Sequence, residues 1–380
     1  MSVAALLSTL AIHPQRITRD ALAVCDAHAL AAAAEHEQVV PRALRGLQSA
    51  APGIRDAAAP HIAALRESAR RWTLYEALQR RAVADVLDRA GAVDLVFFKG
   101  ASLAYGAYGD PADRMRLDWD VLARDADVNA LEQALGDAGF VKDVKKPGRI
   151  RVRQRSYRRP LADGECTIDL HTGIVNAPAI ARRITFDQVR SRAVPLPGLH
   201  AAARGLDDVD ALILGAVHRL VHHPGEWRLI WDVDIVQLLP RVTASMPELA
   251  SRAAAWDVGP LVAHEMRGMS ERRDYRLPTH VEDALGTLAA QPSGVTMFTR
   301  DDRSRGHDFA LDWRALGWRD RAALVQETFL PDPAFVRAAS GSRLPLPLLY
   351  LRRLAAGALG WFRRPALHES PDHHRPDRPA

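Results

Sequence analysis

The chain is 380 residues long, 48% hydrophobic and 26% charged, an ordinary globular composition that excludes collagen-like, coiled-coil or wholly disordered chains. Its two cysteines, Cys25 and Cys166, are too few for a disulfide framework or a cysteine-rich zinc site. The formal charge of +5 permits an anionic partner without demanding one, because nucleic-acid binding needs clustered charge rather than a net excess.

Residues 1–90 are rich in Ala, Leu and Arg, and Pro14, Pro41, Pro52 and Pro60 divide them into several short helices. In the last of these, Leu74, Leu78, Ala82, Val83, Val86 and Leu87 mark the apolar face. The opening apolar stretch has no basic lead and reads poorly as an export signal, so a cytoplasmic location is expected. The pattern then changes. Residues 93–98 are a β-branched and aromatic run, a buried strand that ends at Lys99-Gly100. Leu117 to Leu122 forms a second strand, and Asp125 or Asp127 caps a helix that reaches about Ala138, with Gly139 as its stop.

Arg149 to Arg158 and Glu165 to Ile174 are extended segments, and Ala162-Asp163-Gly164 between them predicts a hairpin. The helical period returns from about residue 205. Leu344 to Trp361, interrupted by Arg352 and Arg353, reads as an amphipathic packing helix, and no stable membrane insertion is expected. The tail after Pro365 has no period and is expected to be disordered, with His368, His373 and His374 as a solvated end rather than a metal site. The expected division is a helical region at 1–90, an α/β core at 91–200, a helical region at 201–364 and a tail at 365–380. The fold class is therefore α+β.

The central chemical signal is Asp118-Trp119-Asp120. On a strand the two carboxylates share a face, with Leu117, Trp119 and Val121 opposite. Their repulsion is offset when a divalent cation lies between them and a substrate phosphate. A lone Asp-x-Asp is common on exposed strands, so a third acid in a matching setting matters. In the stretch 166–171, Cys166, Ile168 and Leu170 take the inward face, leaving Thr167, Asp169 and His171 on the other. Upstream, Lys99-Gly100-Ala101-Ser102 lies where a strand turns into a helix, and a glycine there lets a phosphate approach the backbone. The only lysines are Lys99, Lys142, Lys145 and Lys146, so a lysine at the end of a buried strand points to a site that wants a compact ammonium.

These residues resemble a family. Phe98-Lys99-Gly100-Ala101-Ser102-Leu103, then Asp110 to Arg114, Asp118-Trp119-Asp120-Val121-Leu122, Ala138-Gly139-Phe140 and Ile168-Asp169-Leu170-His171 look like the successive motifs of a bacterial nucleotidyltransferase family. That family belongs to the DNA polymerase β-like superfamily. The resemblance is close at about 91–175 and looser over the N-terminal helices and His218–Leu239. It implies a small mixed sheet and transfer of a nucleoside monophosphate from an NTP to an unidentified acceptor hydroxyl. Asp118 and Asp120 would hold Mg²⁺ (or Mn²⁺) on the triphosphate, and Asp169 would complete the second metal site or act as base. Lys99, Gly100, Ser102 and Arg114 would be the phosphate contacts. Two positions depart from the superfamily pattern: Ala101 intervenes between Gly100 and Ser102, and Leu117 replaces a small or polar residue.

Arg151, Arg153 and Arg155 alternate along a predicted strand, with Lys145, Lys146, Arg158 and Arg159 nearby. They read either as an anionic groove or as a charged edge strand that resists aggregation. The second reading is favoured, since Tyr157 is the only interleaved aromatic and nucleic acid is unsupported. His218 and His222 share a helical face ahead of His223, Trp231 and Asp234. They read as packing and hydrogen bonding, with a supporting role beside the acids, shared by His171, as the alternative. Against an active transferase stand two other classes: a catalytically weak nucleotide-binding protein that keeps the fold, and a metal hydrolase built on the histidines. The acceptor, whether a small sugar, an aminoglycoside, a protein side chain or an RNA end, stays open, as do base preference and oligomeric state.

Overall fold

A computed structural model of the chain describes residues 1–143, 148–162, 164–300 and 302–361. Lys145, Lys146, Asp163 of the predicted turn and the histidines of the tail lie outside the described residues. Five short helices open the chain: α1 (Val3–Ile12), α2 (Arg19–Ala23), α3 (Ala27–His36), α4 (Val40–Gln48) and α5 (Pro52–Ala57). They lead into α6 (Ala59–Ala90), one helix of 32 residues. Pro60 opens α6 rather than breaking it, because a proline in the first turn forfeits no helical hydrogen bond. The buried stripe of α6 runs through Trp72, Glu76, Gln79, Val83 and Val86, so Leu74, expected inside, is exposed. Two polar residues hold inward positions because each has a partner. Glu76 binds Arg116 at 2.6 Å, and Gln79 accepts the indole N–H of Trp119 at 2.9 Å.

The α/β unit follows as β1 (Leu95–Phe97), α7 (Lys99–Gly106), β2 (Trp119–Ala123), α8 (Val128–Asp137), β3 (Val141–Lys142), β4 (Gln154–Pro160) and β5 (Glu165–His171). Helices α9 (Pro178–Ala181) and α10 (Phe186–Arg192) then precede β6 (Val194–Pro195) and β7 (Arg204–Gly205). The strands form one mixed sheet in the order β3-β4-β5-β2-β1-β7-β6. β2 runs parallel to β5, and β1 parallel to β7, while the other pairs are antiparallel. The architecture is therefore α+β.

Strand alternation places the sheet between two apolar cores. Phe97, Trp119, Ile168 and Leu170 pack with Val83 of α6 and Leu131 of α8 on one face. Val96, Phe98 and Leu122 join a larger core on the other face. That core is shared by the N-terminal helices with α11 (Asp208–His222), α12 (Leu229–Val242), α13 (Met246–Ala255), α14 (Gly259–Arg273) and α15 (Thr279–Ala289). The described chain ends in α16 (Arg305–Ala315), α17 (Trp318–Phe329), α18 (Pro333–Ser340) and α19 (Leu346–Trp361). Among the described residues no helix is long and apolar enough to cross a membrane.

The predicted hairpin is present, with Gln154 paired to His171 and Pro160 to Glu165. β4 begins at Gln154, however, not at Arg149. The reason lies in α17: the Glu327 carboxylate accepts the backbone N–H groups of Arg149, Ile150, Arg151 and Val152 at 2.8–3.2 Å. Those donors serve a side chain instead of a strand partner.

Candidate active site

The parallel register of β2 and β5 sets Asp120 opposite Asp169. Because Trp119, Ile168 and Leu170 go to the core beneath, Asp120, Asp169 and His171 all rise on the other face. All three are buried, at 2%, 4% and 4% exposure. One ligand-type atom from each lies within 4.8 Å of the others, the only such group of three among the described residues. Asp118 stands just before β2, where Leu117 is exposed, so strand geometry begins at Trp119, two residues later than the sequence pattern predicted, and Asp118 is not on the strand with Asp120. Asp118 still lines the cavity above the acids.

Two donors converge on one oxygen of Asp120. The Lys99 ammonium lies 2.7 Å from Oδ1, and His171, facing an acceptor-only carboxylate, donates its Nε2–H to the same atom at 2.9 Å. Burial opposes the Asp120 charge, yet Lys99 and His171 outweigh it and hold the carboxyl below the usual range. Burial likewise works against the Lys99 ammonium, and Asp120, Asp118 and Asp169 together raise its pKa above the ordinary lysine value. His171 is pushed down by burial, against the pull of Asp120, and its ring meets Phe98 edge-on at 4.9 Å. Asp169 accepts hydrogen bonds from the Gln154 amide and the Ser156 hydroxyl of β4. Sequence reasoning missed these two residues. The signal was available, since a hairpin centred on 162–163 pairs Ser156 with Asp169 and puts Gln154 on the same face.

The acids form the floor of a cavity of about 280 Å³ between the sheet and helices α11 and α12. Lys99, Gly100, Arg114 and Asp234 line it together with His218, His222 and Trp231. Lys99 is a left-handed residue, with φ of 53°, where β1 turns into α7. Gly100 packs on the chain beside it: a Cβ there would sit 3.2 Å from Cβ of Arg116. Ser102 is turned away from the cavity; its buried hydroxyl accepts the Leu206 N–H at 2.8 Å. The Arg114 guanidinium is gripped bidentately by Asp234, at 2.7 and 2.8 Å, and Tyr108 donates its hydroxyl to the same carboxylate at 2.7 Å.

His218 and His222 stack with centroids 4.5 Å apart. Burial, then the Lys99 ammonium, holds both well below the ordinary histidine pKa. His222 Nε2 accepts the Asn176 backbone N–H at 3.1 Å, which fixes its neutral tautomer. His223 packs on Trp231 at 4.9 Å and contacts Glu226 at 2.9 Å through Nδ1. The three histidines lie on the wall of the cavity, where His222 and His223 are hydrogen-bonded and the buried Nδ1 of His218 has no hydrogen-bond partner among the described residues.

The basic segment is a set of ion pairs. Arg151 binds Asp312 at 2.7 Å, Arg153 binds Asp125 at 2.6 Å, and Arg155 faces Glu132 at 3.4 Å. Arg158 and Arg159 pair with Asp143 and Asp85 at 2.7 and 2.9 Å. Of the three alternating arginines only Arg155 lies within β4, so the expected one-sided arginine strand does not form.

The two carboxylates are oxygen donors suited to a hard divalent ion such as Mg²⁺ or Mn²⁺, while the His171 ring, hydrogen-bonded to Asp120, supports them. The Lys99 ammonium on Asp120 is a cation already seated at that position. A family model described as "uncharacterised nucleotidyltransferase" matches residues 24–268, a span that includes every strand and every residue lining the cavity. No curated protein and no solved structure matches the chain.

Proposed function

The chain belongs to this uncharacterised nucleotidyltransferase family, and on that premise we propose that it moves a nucleoside monophosphate from an NTP to an acceptor hydroxyl with release of pyrophosphate. The observation that carries the reading is the in-register Asp120–Asp169 pair beneath a cavity rimmed by Lys99, Gly100 and Arg114. Asp118 and Asp120 would hold Mg²⁺ or Mn²⁺ against the triphosphate, and Asp169 completes the metal site or takes the acceptor proton. A divalent ion bound there neutralises charge and polarises the phosphoryl oxygens.

The remaining residues have assignable roles. Gly100 lets the turn pack close against Arg116 at the cavity wall, and Lys99 supplies a compact positive charge for a phosphate beside it. Arg114, fixed by Asp234, contributes its charge from a rigid position. Ser102 ties α7 to the segment after β7 and so positions the turn instead of touching the nucleotide. His171 orients Asp120, while Gln154 and Ser156 orient Asp169. His218 and His222 form a neutral wall, which leaves the positive charge near the triphosphate on the Lys99 and Arg114 side.

The test is pyrophosphate release from each NTP with Mg²⁺, over a panel of sugar, aminoglycoside, protein and RNA acceptors. Asp118→Ala and Asp120→Ala should each lower turnover by ~10²-fold or more, the scale of losing a group that stabilises transition-state charge. Unchanged turnover in both variants would sink the assignment. A second reading, a nucleotide-binding protein of little activity, is favoured by one observation: the Ser102 hydroxyl is engaged by Leu206 rather than open to phosphate. NTP binding without pyrophosphate across the whole panel would select it.

A further inference from the structure

Two carboxylates, Asp120 and Asp169, meet at the cavity floor beside the Lys99 ammonium, and Asp118 lines the cavity near them. Lys99 Nζ lies 2.7 Å from Asp120 Oδ1, and Asp118 and Asp169 add to its electrostatic attraction. The position is held at a conformational cost, for a non-glycine residue in the left-handed region is disfavoured by roughly 1–2 kcal/mol; Lys99 adopts a φ of 53° there. The residue type is also selected against the background, since this chain carries four lysines among 51 basic residues. An ammonium is a compact point charge that can occupy the space of an ion, whereas a planar guanidinium cannot.

We propose that the Lys99 ammonium takes the place of one of the two divalent ions that a carboxylate-lined transfer site otherwise holds, so that this site binds a single divalent ion. The inference rests on the metal-dependent reading above. Its geometric basis is Asp120. A carboxylate that bridges two ions gives one oxygen to each, but Oδ1 of Asp120 already accepts from both Lys99 and His171. Only its other oxygen is left to ligate an ion.

The experiment counts ions by Mn²⁺ electron paramagnetic resonance on the full chain, with Mn²⁺ alone and with α,β-methylene-ATP. Two Mn²⁺ ions ~3.5–4 Å apart, the spacing of two-metal sites, are spin-coupled and give a spectrum distinct from an isolated ion. The wild-type chain should show one bound, uncoupled Mn²⁺ with the analogue present. Lys99→Met should gain a second ion and the coupled spectrum. Circular dichroism verifies that the variant is folded. A coupled pair in the wild type overturns the inference while leaving the transferase reading intact, as does a folded Lys99→Met that still binds one ion. A wild type that binds no Mn²⁺ under either condition overturns the metal-dependent reading itself.

Discussion

Replacing Asp234 with leucine should destabilise this protein strongly, because it leaves the buried Arg114 guanidinium without its carboxylate. The Arg114 and Asp234 side chains are only 7% and 11% exposed, and two hydrogen bonds join them. Charge centres about 4 Å apart at an effective dielectric of ~20 attract by ~4 kcal/mol. Removing one partner of a buried pair costs ~3–5 kcal/mol, because the survivor stays desolvated and unpaired. That is a large share of the ~5–15 kcal/mol that holds a typical domain folded. The assay is a double-mutant cycle in urea, using Arg114→Met, Asp234→Leu and their combination, followed by circular dichroism. Each chain carries Tyr108→Phe, so that the phenol losing its acceptor does not enter the cycle. Each single variant should lose ~3–5 kcal/mol, and the double variant, with two apolar groups in place of two charges, should recover most of it. Additive losses, or a single-variant loss below ~1 kcal/mol, would refute the claim that this pair is a buried, coupled unit.

Two other consequences are open to measurement. His218 and His222 have folded-state pKa values well below the ordinary 6.5, so below that pH the unfolded chain takes up protons that the folded chain refuses. Stability is therefore retained above about pH 6.5 and falls as the pH drops below it, by up to roughly 1.4 kcal/mol per pH unit for each histidine. Denaturation midpoints at pH 7.5 and 5.0 should differ less in His218→Asn/His222→Gln than in the wild type, and an equal difference would contradict the assignment. Glu327→Gln keeps the size of the side chain but replaces one acceptor oxygen by a donor, which cannot face two backbone N–H groups. It should cost ~1–3 kcal/mol and speed hydrogen exchange at residues 149–152; unchanged protection there would show that the carboxylate is dispensable.

The strand alternation was legible because a period of two survives any tertiary context: Cys166, Ile168 and Leu170 inward, Asp169 and His171 outward. So were the hairpin and the helix ending at Gly139, whose φ of 80° only glycine adopts cheaply. What local pattern could not reveal was partnership at long range. Glu76 and Gln79 interrupt the apolar stripe of α6 because Arg116 and Trp119, some 40 residues away, satisfy them. The arginines at 151–155 look like one charged face until their acids arrive from α16 (Asp312), the 125–127 turn (Asp125) and α8 (Glu132). Asp234 marked itself only as an acid after a histidine-rich helix; that it orders Arg114 follows from the packing of α12 against the cavity.

The Glu327 carboxylate has a bearing on the order of events as the chain is made. It lies 175 to 178 residues beyond the four N–H groups it accepts, and outside the span that the family model matches. A ribosome has therefore delivered every strand, every acid and every cavity residue before this partner emerges. Closing so long a loop is slow on entropic grounds. Until it closes, the N–H groups of residues 149–152 are bonded to water, while Gln154 and Ser156 are already held opposite Asp169 by the β4–β5 hairpin. The lead into β4 is thus the part of the α/β unit that is fastened last, by a helix that contributes nothing to the cavity itself.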